Sequence, residues 1–358
     1  MCIKKVIIFR STLLPISETF VLNQASALQT WHPVLLGLKN AKAGLDISAV
    51  NSIIANSITS RISDPLHFWL NKPLPRLKAI IQNSRADLMH VHFGTDAVDI
   101  WPTAHACNLP VVVTLHGFDI NVHRAWWESG SGGARRKNYP DRLLQMAKSA
   151  DVKFIAVSNA IREKAIAFGI QENKIETAYI GVDQRYFKPS RATRAGAKKK
   201  ILFVGRMVEK KGPLLLLQAL KAVVKHVPDI DLFMIGDGPL KAAAQAFALE
   251  HALPVTFLGS CDRSKVLNQL RSASIFCLPS ITASNGDAEG LPISILEAQA
   301  CAIDVVTSAK GADETEPLNS KTILFPEGDL EALTQALIER LRDPRSAEPL
   351  IYSEASIG

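Results

Sequence analysis

Short apolar runs alternate with stretches of helical periodicity along the whole chain. In the first half the runs are KKVIIFR, DLMHVHF, PVVVTLHG and VKFIAVS, and an amphipathic pattern, ETFVLNQASALQT, follows the first of them. In the second half the runs are KKKILFVGR, IDLFMIGDG, VTFLG, SIFCLPS and DVVTS. Strands separated by helices predict parallel sheets covered on both faces, which is the doubly wound α/β class.

The segment FKPSRATRAGAKKK, at 187–200, separates these two series of strands. It is basic, rich in small residues and without periodicity, which is typical of a domain boundary. We therefore expect two Rossmann-like domains, 1–188 and 189–358, that face each other across a cleft. Because ligands of such sheets bind outside the carboxyl ends of the strands, the residues that follow each apolar run are the candidates for function.

Composition is that of a globular protein, with 47% hydrophobic and 21% charged residues. No stretch of about 18 apolar residues predicts a membrane span, and the apolar core of MCIKKVIIFR is too short for a signal peptide. Five cysteines, at 2, 107, 261, 277 and 301, form no C-x-x-C pair. This usage is typical of a reducing compartment, so a cytoplasmic location is predicted.

The net charge of +7 is concentrated in the first half of the chain. Residues 1–190 hold 22 Lys and Arg against 14 Asp and Glu, whereas the remainder hold 19 against 20. A basic half indicates an anionic partner, such as a phosphorylated acceptor or the anionic inner face of the plasma membrane. Nucleic acid is not predicted, because no known reader motif is present. The alternative is an uneven surface charge without a partner.

A Gly and two cations follow the first strand of the second half. This strand is predicted to end at Val204, and Gly205, Arg206 and Lys211 lie in the loop after it. Gly205 lets a ligand approach the backbone, Arg206 offers a planar fork for oxygens and Lys211 a point charge. The combination suits a diphosphate, and the alternative is a solvated basic loop.

The segment SITASNGDAEGLPISILEAQA predicts a loop that leads into a helix. Gly290 permits close approach of a ligand, and Pro292 suits the first turn of the helix. The helix N-terminus is a ready anion site. Glu289, in the loop, and Glu297, inside the helix, are placed to grip two hydroxyl-bearing parts of one extended ligand. The alternative is a capping acid and an ordinary surface Glu.

Histidines follow two predicted strands of the first half. His116 comes directly after the strand in PVVVTLHG, and either a catalytic or a structural role is open for it. His90 and His92 lie two residues apart on one strand and therefore on the same face. No third ligand is apparent beside them, so no metal site is predicted.

Several of these motifs, in this order, resemble a known family. VGRMVEKKG, MIGDGPL, VTFLG and the E-x7-E pair of Glu289 and Glu297 resemble the retaining nucleotide-sugar glycosyltransferases of the GT-B type, family 4. The resemblance covers nearly the whole chain. ISETFVLNQ, HFG, HGFDI and SITASNGDAEGLP further resemble transferases of bacterial exopolysaccharide assembly, including the colanic acid type.

The resemblance implies roles for the residues of the second half. Arg206 and Lys211 would hold the nucleotide diphosphate as it leaves, and Glu297 would bind the ribose hydroxyls. Glu289 would hold hydroxyls of the donated sugar beside the backbone of Gly290, Leu291 and Pro292. UDP is the nucleotide that family frequency favours. Such enzymes keep the anomeric configuration and need neither a metal nor another cofactor.

The resemblance also implies an acceptor side in the first half. His116 would contact the sugar near its reacting carbon. Ser17, Glu18 and Thr19, which replace the Gly-rich first loop of many relatives, would bind acceptor hydroxyls. The acceptor would be a growing, lipid-linked glycan held against the basic domain.

The chain departs from the family pattern at three places. Ala302, Ile303 and Asp304 precede Val305 where relatives read A-x-G-x-P-V-V, and Asp313 replaces a Pro. The helical pattern ends near residue 342, and the residues after it predict no helix that returns to the first domain.

Two other functions stay open at this point. One is a GT-B epimerase or phosphorylase, which would not release nucleotide in response to an acceptor. The other is a non-catalytic, nucleotide-sugar-binding subunit of a polysaccharide assembly complex, which would bind the donor without turnover.

Overall fold

A computed structural model describes residues 4–15, 17–42, 44–55, 70–189, 199–312 and 321–343. The chain divides into two compact units, Met1–Ile180 and Gly181–Gly358. The predicted boundary at 188/189 stays a prediction, and so does the cleft. Residues 190–198 of the predicted linker, Asp313 and the chain after 343 lie outside the described residues.

Seven strands form a parallel sheet in the described part of the first unit, in the order β3-β2-β1-β4-β5-β6-β7. Successive side chains of the first strand, β1, point to opposite faces of the sheet. Ile7 and Phe9 belong to the hydrophobic core on one face, and Val6 and Ile8 belong to the core on the other. The strands are β1 Lys4–Leu13, β2 Trp31–Asn40, β3 Ser52–Ile54, β4 Leu88–His92, β5 Val111–Leu115, β6 Val152–Ala156 and β7 Ile175–Thr177.

Helices cover this sheet, as the alternating pattern predicts. Gly94 begins the helix after β4, where a Cβ would lie 2.5 Å from the Tyr139 hydroxyl. The described helices are α1 Thr19–Ala27, α2 Pro75–Ser84, α3 Gly94–His105, α4 Phe118–Asn121, α5 Arg124–Glu128, α6 Tyr139–Ala147 and α7 Asn159–Phe168, with 3₁₀ turns at Ala134–Arg136 and Glu172–Lys174.

The second unit repeats the architecture with a parallel sheet of six described strands, in the order β10-β9-β8-β11-β12-β13. The strands are β8 Lys199–Val204, β9 Ile230–Ile235, β10 Val255–Gly259, β11 Ile275–Leu278, β12 Asp304–Thr307 and β13 Thr322–Leu324. The helices are α8 Pro213–His226, α9 Lys241–Glu250, α10 Arg263–Ser272, α11 Ile293–Ala300 and α12 Leu330–Arg342, with a 3₁₀ turn at Glu209–Lys211. The last described helix, α12, ends at Arg342, and the prediction that no helix follows it stays a prediction.

The strand order reverses once in each described sheet. In the first unit the chain runs outward from β1 to β3 and then returns to place β4 on the other side of β1. In the second unit the same reversal places β11 directly beside β8. Such a switch point leaves a crevice at the carboxyl ends of the two central strands, where doubly wound proteins bind ligands.

Two departures from the family pattern have local structural consequences. Ala302 has a φ of +56°, in the left-handed region that a Gly occupies without strain. Asp304 accepts a hydrogen bond of 2.7 Å from the Lys321 backbone N–H and pairs with Arg340 of α12. Asp304, which stands where A-x-G-x-P-V-V has its Pro, therefore connects β12 to the helix that covers it.

No helix in the described ranges is long and apolar enough to cross a membrane.

Candidate functional site

Two loops meet at the switch point of the second unit. One follows β8 at Gly205, and the other follows β11 at Pro279. Gly212, which ends the first loop with a φ of +62°, packs so closely that a Cβ would lie 1.9 Å from the Pro279 carbonyl oxygen. Glycine is therefore required there by its conformation and by the space.

Glu289 lies at the centre of an ion cluster that joins the two loops. Its Oε2 is 2.8 Å from Lys211 Nζ, and its Oε1 is 3.3 Å from Lys210 Nζ. Lys210 Nζ also donates to Asp287 Oδ1 at 3.0 Å. Lys211 and Glu289 were predicted as site residues, whereas Lys210 and Asp287 were missed. Their only signal in the sequence is that each lies within two residues of a predicted site residue.

The cluster keeps a buried carboxylate ionised. Burial alone raises the pKa of Glu289, but the charges of Lys211 and Lys210 outweigh it and lower the pKa to about 2. Burial raises the pKa of Asp287, although Lys210 opposes the shift. Glu289 is therefore an acceptor of hydrogen bonds at neutral pH, as recognition of sugar hydroxyls requires.

Arg206 lies on the same loop as Lys211 but outside the cluster. Its side chain is exposed, and within the described residues it makes no hydrogen bond or ion pair. Beside it, Gly205 is approached closely by Gly236, at which a Cβ would lie 1.9 Å from the Gly205 carbonyl oxygen. The guanidinium of Arg206 is thus available to an anionic ligand.

The loop of Glu289 runs directly into helix α11. The helix begins at Ile293, so Pro292 precedes it and does not lie in its first turn as predicted. The backbone before it is tightly packed, because a Cβ on Gly311 would lie 2.2 Å from the Gly290 carbonyl oxygen. Leu291 is 5% exposed and anchors this turn in the interior.

Glu297 lies inside α11, more than one turn from its start, as predicted. Burial raises its pKa to about 7, and the charge of Arg263 opposes this shift. Arg263 was not predicted: its guanidinium lies 4.1 Å from the ring centroid of Tyr186 and 5.0 Å from that of Phe187. Its Nε and one terminal nitrogen are buried without a hydrogen-bond partner in the described structure.

His116 lies at the carboxyl end of β5 in the first unit and belongs to a row of three histidines. His92 Nδ1 lies 3.0 Å from His116 Nε2, and the two ring planes are 26° apart with centroids separated by 5.2 Å. The His90 ring stacks on that of His92, with centroids 4.6 Å apart. The predicted shared face of His90 and His92 is confirmed. Their contact with His116 was missed, since it depends on the pairing of β4 with β5.

A buried Asp fixes the turn that carries His116. Asp119 Oδ1 accepts the backbone N–H groups of His116, at 3.1 Å, and of Gly117, at 3.0 Å. Its Oδ2 accepts the N–H of Gly94, at 2.9 Å. One side chain thus joins the HFG and HGFDI motifs.

The segment with the predicted acceptor residues is held by Arg10. Arg10 Nε donates to Glu18 Oε2 at 2.9 Å, and another nitrogen of its guanidinium pairs with Asp96. Both carboxylate oxygens of Glu18 bind Arg10, and Glu18 is 8% exposed, so it is engaged inside the protein. Ser17 is exposed and Thr19 is half-buried. The acceptor contact stays a prediction for these two residues.

No group of three or more His, Cys, Asp or Glu side chains among the described residues is arranged to hold a metal ion.

Two family models match adjoining parts of the chain. The model for Glycosyltransferase Family 4 matches residues 17–186, and the model for Glycosyl transferases group 1 matches residues 186–355. The chain belongs to glycosyltransferase family 4.

Curated relatives of this family 4 chain include a biosynthetic glycosyltransferase and a mannosyltransferase. The amylovoran biosynthesis glycosyltransferase AmsK of Erwinia amylovora is 28% identical over 75% of this chain and 64% of its own length. The GDP-mannose-dependent monoacylated alpha-(1-6)-phosphatidylinositol monomannoside mannosyltransferase of Corynebacterium glutamicum is 30% identical over 65% of this chain. The chain spans 61% of the length of that relative.

A solved structure shares the fold. Alr3699/HepE of Anabaena, in complex with UDP and glucose, superposes with a TM-score of 0.74 at 17% identity, covering 96% of this chain and 91% of that one. The likeness shows the fold of GT-B glycosyltransferases, with two parallel-sheet α/β domains.

Proposed function

We propose that the chain transfers a sugar from a nucleotide-sugar, most simply a UDP-sugar, to a growing surface polysaccharide. The observation that carries this proposal is the site at the β8/β11 switch point. There the ionised Glu289 is held by Lys211 while Arg206 of the same loop is exposed. Two cations that can bind a diphosphate and a carboxylate that can accept hydrogen bonds from sugar hydroxyls thus lie in one crevice.

The two cations act on the leaving group. Arg206 and Lys211 bind the diphosphate and neutralise the charge that develops as the bond from C1 to the phosphate oxygen breaks. Loss of one such contact typically costs about 10²–10³ in rate. Lys210 keeps Glu289 ionised when Lys211 turns to the diphosphate, because it contacts the other carboxylate oxygen. Glu297 accepts the ribose hydroxyls, and the Gly290–Pro292 backbone borders the sugar.

The acceptor attacks C1 of the donor sugar on the face from which the nucleotide leaves. Its oxygen forms the new bond to C1, and its proton passes to the departing phosphate, so the anomeric configuration is retained and no metal is needed. His116 contacts the sugar near this carbon.

The acceptor is proposed to be lipid-linked and held against the basic first unit at the inner face of the plasma membrane. Support comes from the excess of Lys and Arg in residues 1–190 and from the relatives, whose names include amylovoran synthesis and a phosphatidylinositol mannoside. Ser17 and Thr19 contact acceptor hydroxyls, whereas Glu18 positions them through its bonds to Arg10.

A donor panel tests the proposal. UDP-, GDP-, ADP- and dTDP-sugars are screened by calorimetry, and nucleotide release is then followed with and without a lipid-linked acceptor extract. We expect one nucleotide to bind, with weaker binding by Glu297→Ala, and release that depends on the acceptor and persists in EDTA. NMR of the product should show the anomeric configuration of the donor. Absence of binding across the panel would contradict the proposed glycosyltransferase activity. Binding without turnover would support the non-catalytic alternative.

A further inference from the structure

His92 lies between two other histidines and contacts only one of them through a ring nitrogen. Its Nδ1 lies 3.0 Å from His116 Nε2, with the two ring planes 26° apart, and its ring stacks on that of His90. His90 Nε2 instead lies 2.7 Å from the Thr114 hydroxyl. His92 and His116 therefore share one hydrogen bond, in which one ring donates and the other accepts.

Both rings of this pair are neutral. Burial lowers the pKa of His92 and of His116 well below the usual value, and the charge of Arg10 adds to the shift for each. Burial lowers the pKa of His90 to about 4. Phe20 and Phe93 pack on His116 from the other elements and bring no charge. A neutral imidazole carries one N–H, so the direction of the shared bond decides which nitrogen of His116 holds the proton.

The surroundings of His92 decide this direction. His92 is 2% exposed, and its Nε2 is buried without a hydrogen-bond partner in the described structure. If His92 carried its proton on Nε2, a donor would be buried unpaired. If the proton is on Nδ1, only a lone pair is unpaired, and buried orphan acceptors are tolerated better than orphan donors.

We propose that His92 is a positioning residue that donates its Nδ1–H to His116 Nε2. His116 then carries its own proton on Nδ1, which has no hydrogen-bond partner among the described side chains and backbone groups. The half-buried His116 thereby presents a neutral N–H donor to an oxygen of the donor sugar. The role in catalysis rests on the proposed function, whereas the tautomer does not.

Two amide variants separate this role from simple packing. The side-chain amide nitrogen of Asn lies where His has Nδ1, and that of Gln lies nearer the place of Nε2. His92→Asn therefore keeps the donor to His116 although it removes most of the ring, and His92→Gln loses the donor although it fills more space. A role in packing alone would favour Gln over Asn.

The first readout is the tautomer of His116, from nitrogen-15 NMR of histidine-labelled full-length protein, with the signal assigned by its loss in His116→Gln. We expect an Nδ1–H tautomer in the wild type and in His92→Asn, and a change in His92→Gln. His105→Asn, a substitution at an exposed His of the same unit, should leave the signal unchanged. An Nε2–H tautomer in the wild type, or no change in His92→Gln, overturns the proposal.

The second readout is turnover with the donor and acceptor found by the panel. Loss of a hydrogen bond to a group that contacts the substrate costs about 1–3 kcal/mol, so kcat of His92→Gln should fall roughly 5- to 150-fold while KM for the donor changes little. His92→Asn should stay close to the wild type. Equal kcat losses in both variants contradict the positioning role. If the protein binds no nucleotide-sugar at all, the proposed function fails, but the tautomer measurement still decides the assignment.

Discussion

The switch points of the two units share one strand topology but differ in the surroundings of their charged side chains. In the second unit, the loops after β8 and β11 present Arg206 to solvent and hold Glu289 between two lysines. In the first unit, the side chains at the ends of β1 and β4 pair with one another, and Arg10 and Glu18 are each about a tenth exposed. The same fold thus carries an exposed cation in one unit, which we propose as an open anion site, and a sealed scaffold of ion pairs in the other.

Charge at a switch point therefore does not by itself indicate a ligand. Arg10 already binds two negative charges, and both belong to the protein. The carboxylates of Glu18 and Asp96 pair with its guanidinium, which also lies 4.4 Å from the ring centroid of Phe93. Arg206 has no such partner among the described residues. The available cation, rather than the buried one, is the better sign of ligand binding.

Removal of Arg10 should break the first switch point and have the largest effect. Arg10→Met leaves the buried carboxylates of Glu18 and Asp96 without their cation, and breaking a buried pair in this way costs about 3–5 kcal/mol. Arg124→Met is the matched control, because Arg124 also binds two carboxylates but is exposed. It should cost about 0–1 kcal/mol. Denaturant unfolding compares the two, and similar losses would contradict a sealed scaffold.

Removal of Lys211 should lower turnover at the second switch point without unfolding the unit. Lys211→Met takes a cation from the leaving group, so turnover should fall about 10²–10³-fold. Lys210 remains beside Glu289, which limits the loss of stability. Steady-state kinetics measure the effect, and Lys221→Met, on the exposed face of α8, serves as the control. A Lys211 variant with normal turnover would exclude the proposed role.

The raised pKa of Glu297 gives the second unit a pH dependence. Because the pKa is about 7 in the folded chain and near its ordinary value when unfolded, the folded state holds the extra proton between these values. Stability should therefore decrease as the pH rises from about 4.5 to 7, by at most about 1.4 kcal/mol per pH unit for one proton. Glu297→Gln should remove this contribution in unfolding measurements. An unchanged slope would refute the shift.

Ala302 offers the smallest test and separates the scaffold from the site. Ala302→Gly relieves the left-handed φ but adds entropy to the unfolded chain, so the net gain should be about 0.5–1 kcal/mol. Thermal unfolding would detect it. Turnover should not change, because no predicted site residue depends on this turn. Destabilisation by the Gly would show that the turn is not strained.

The alternation of apolar runs and helices was enough to predict the class of the fold, and every strand predicted from those runs is present. Strand β2 was missed because WHPVLLGLKN contains a Pro and a Gly, both of which read as breaks in a strand. Strands β3, β7 and β13 were missed because three residues are too few for a pattern. These elements depend on pairing with a neighbouring strand, which local sequence does not report.

Candidate site residues were predicted where they lie in a loop directly after a strand. Contacts were missed where they join residues from different elements of the chain. Lys211 and Glu289 were found from their loops, and the structure joins them at 2.8 Å. The contact of His92 with His116 needs the β4–β5 register, and the Arg10–Glu18 pair needs the path of the chain between them. Glu18 shows the consequence: the family resemblance implied an acceptor contact for it, whereas both oxygens of its carboxylate bind Arg10 inside the protein.

The most direct test of the account is a comparison of nucleotide binding between one variant of each unit. The diphosphate that binds best among UDP, GDP, ADP and dTDP is titrated by calorimetry into the wild type, Arg206→Ala and His116→Ala. The account predicts that Arg206→Ala weakens binding at least about tenfold, as expected for a lost charge-assisted contact, while His116→Ala keeps the affinity and loses turnover. Unchanged binding by Arg206→Ala, or an equal loss in both variants, would contradict the division between an open anion site and a sealed scaffold.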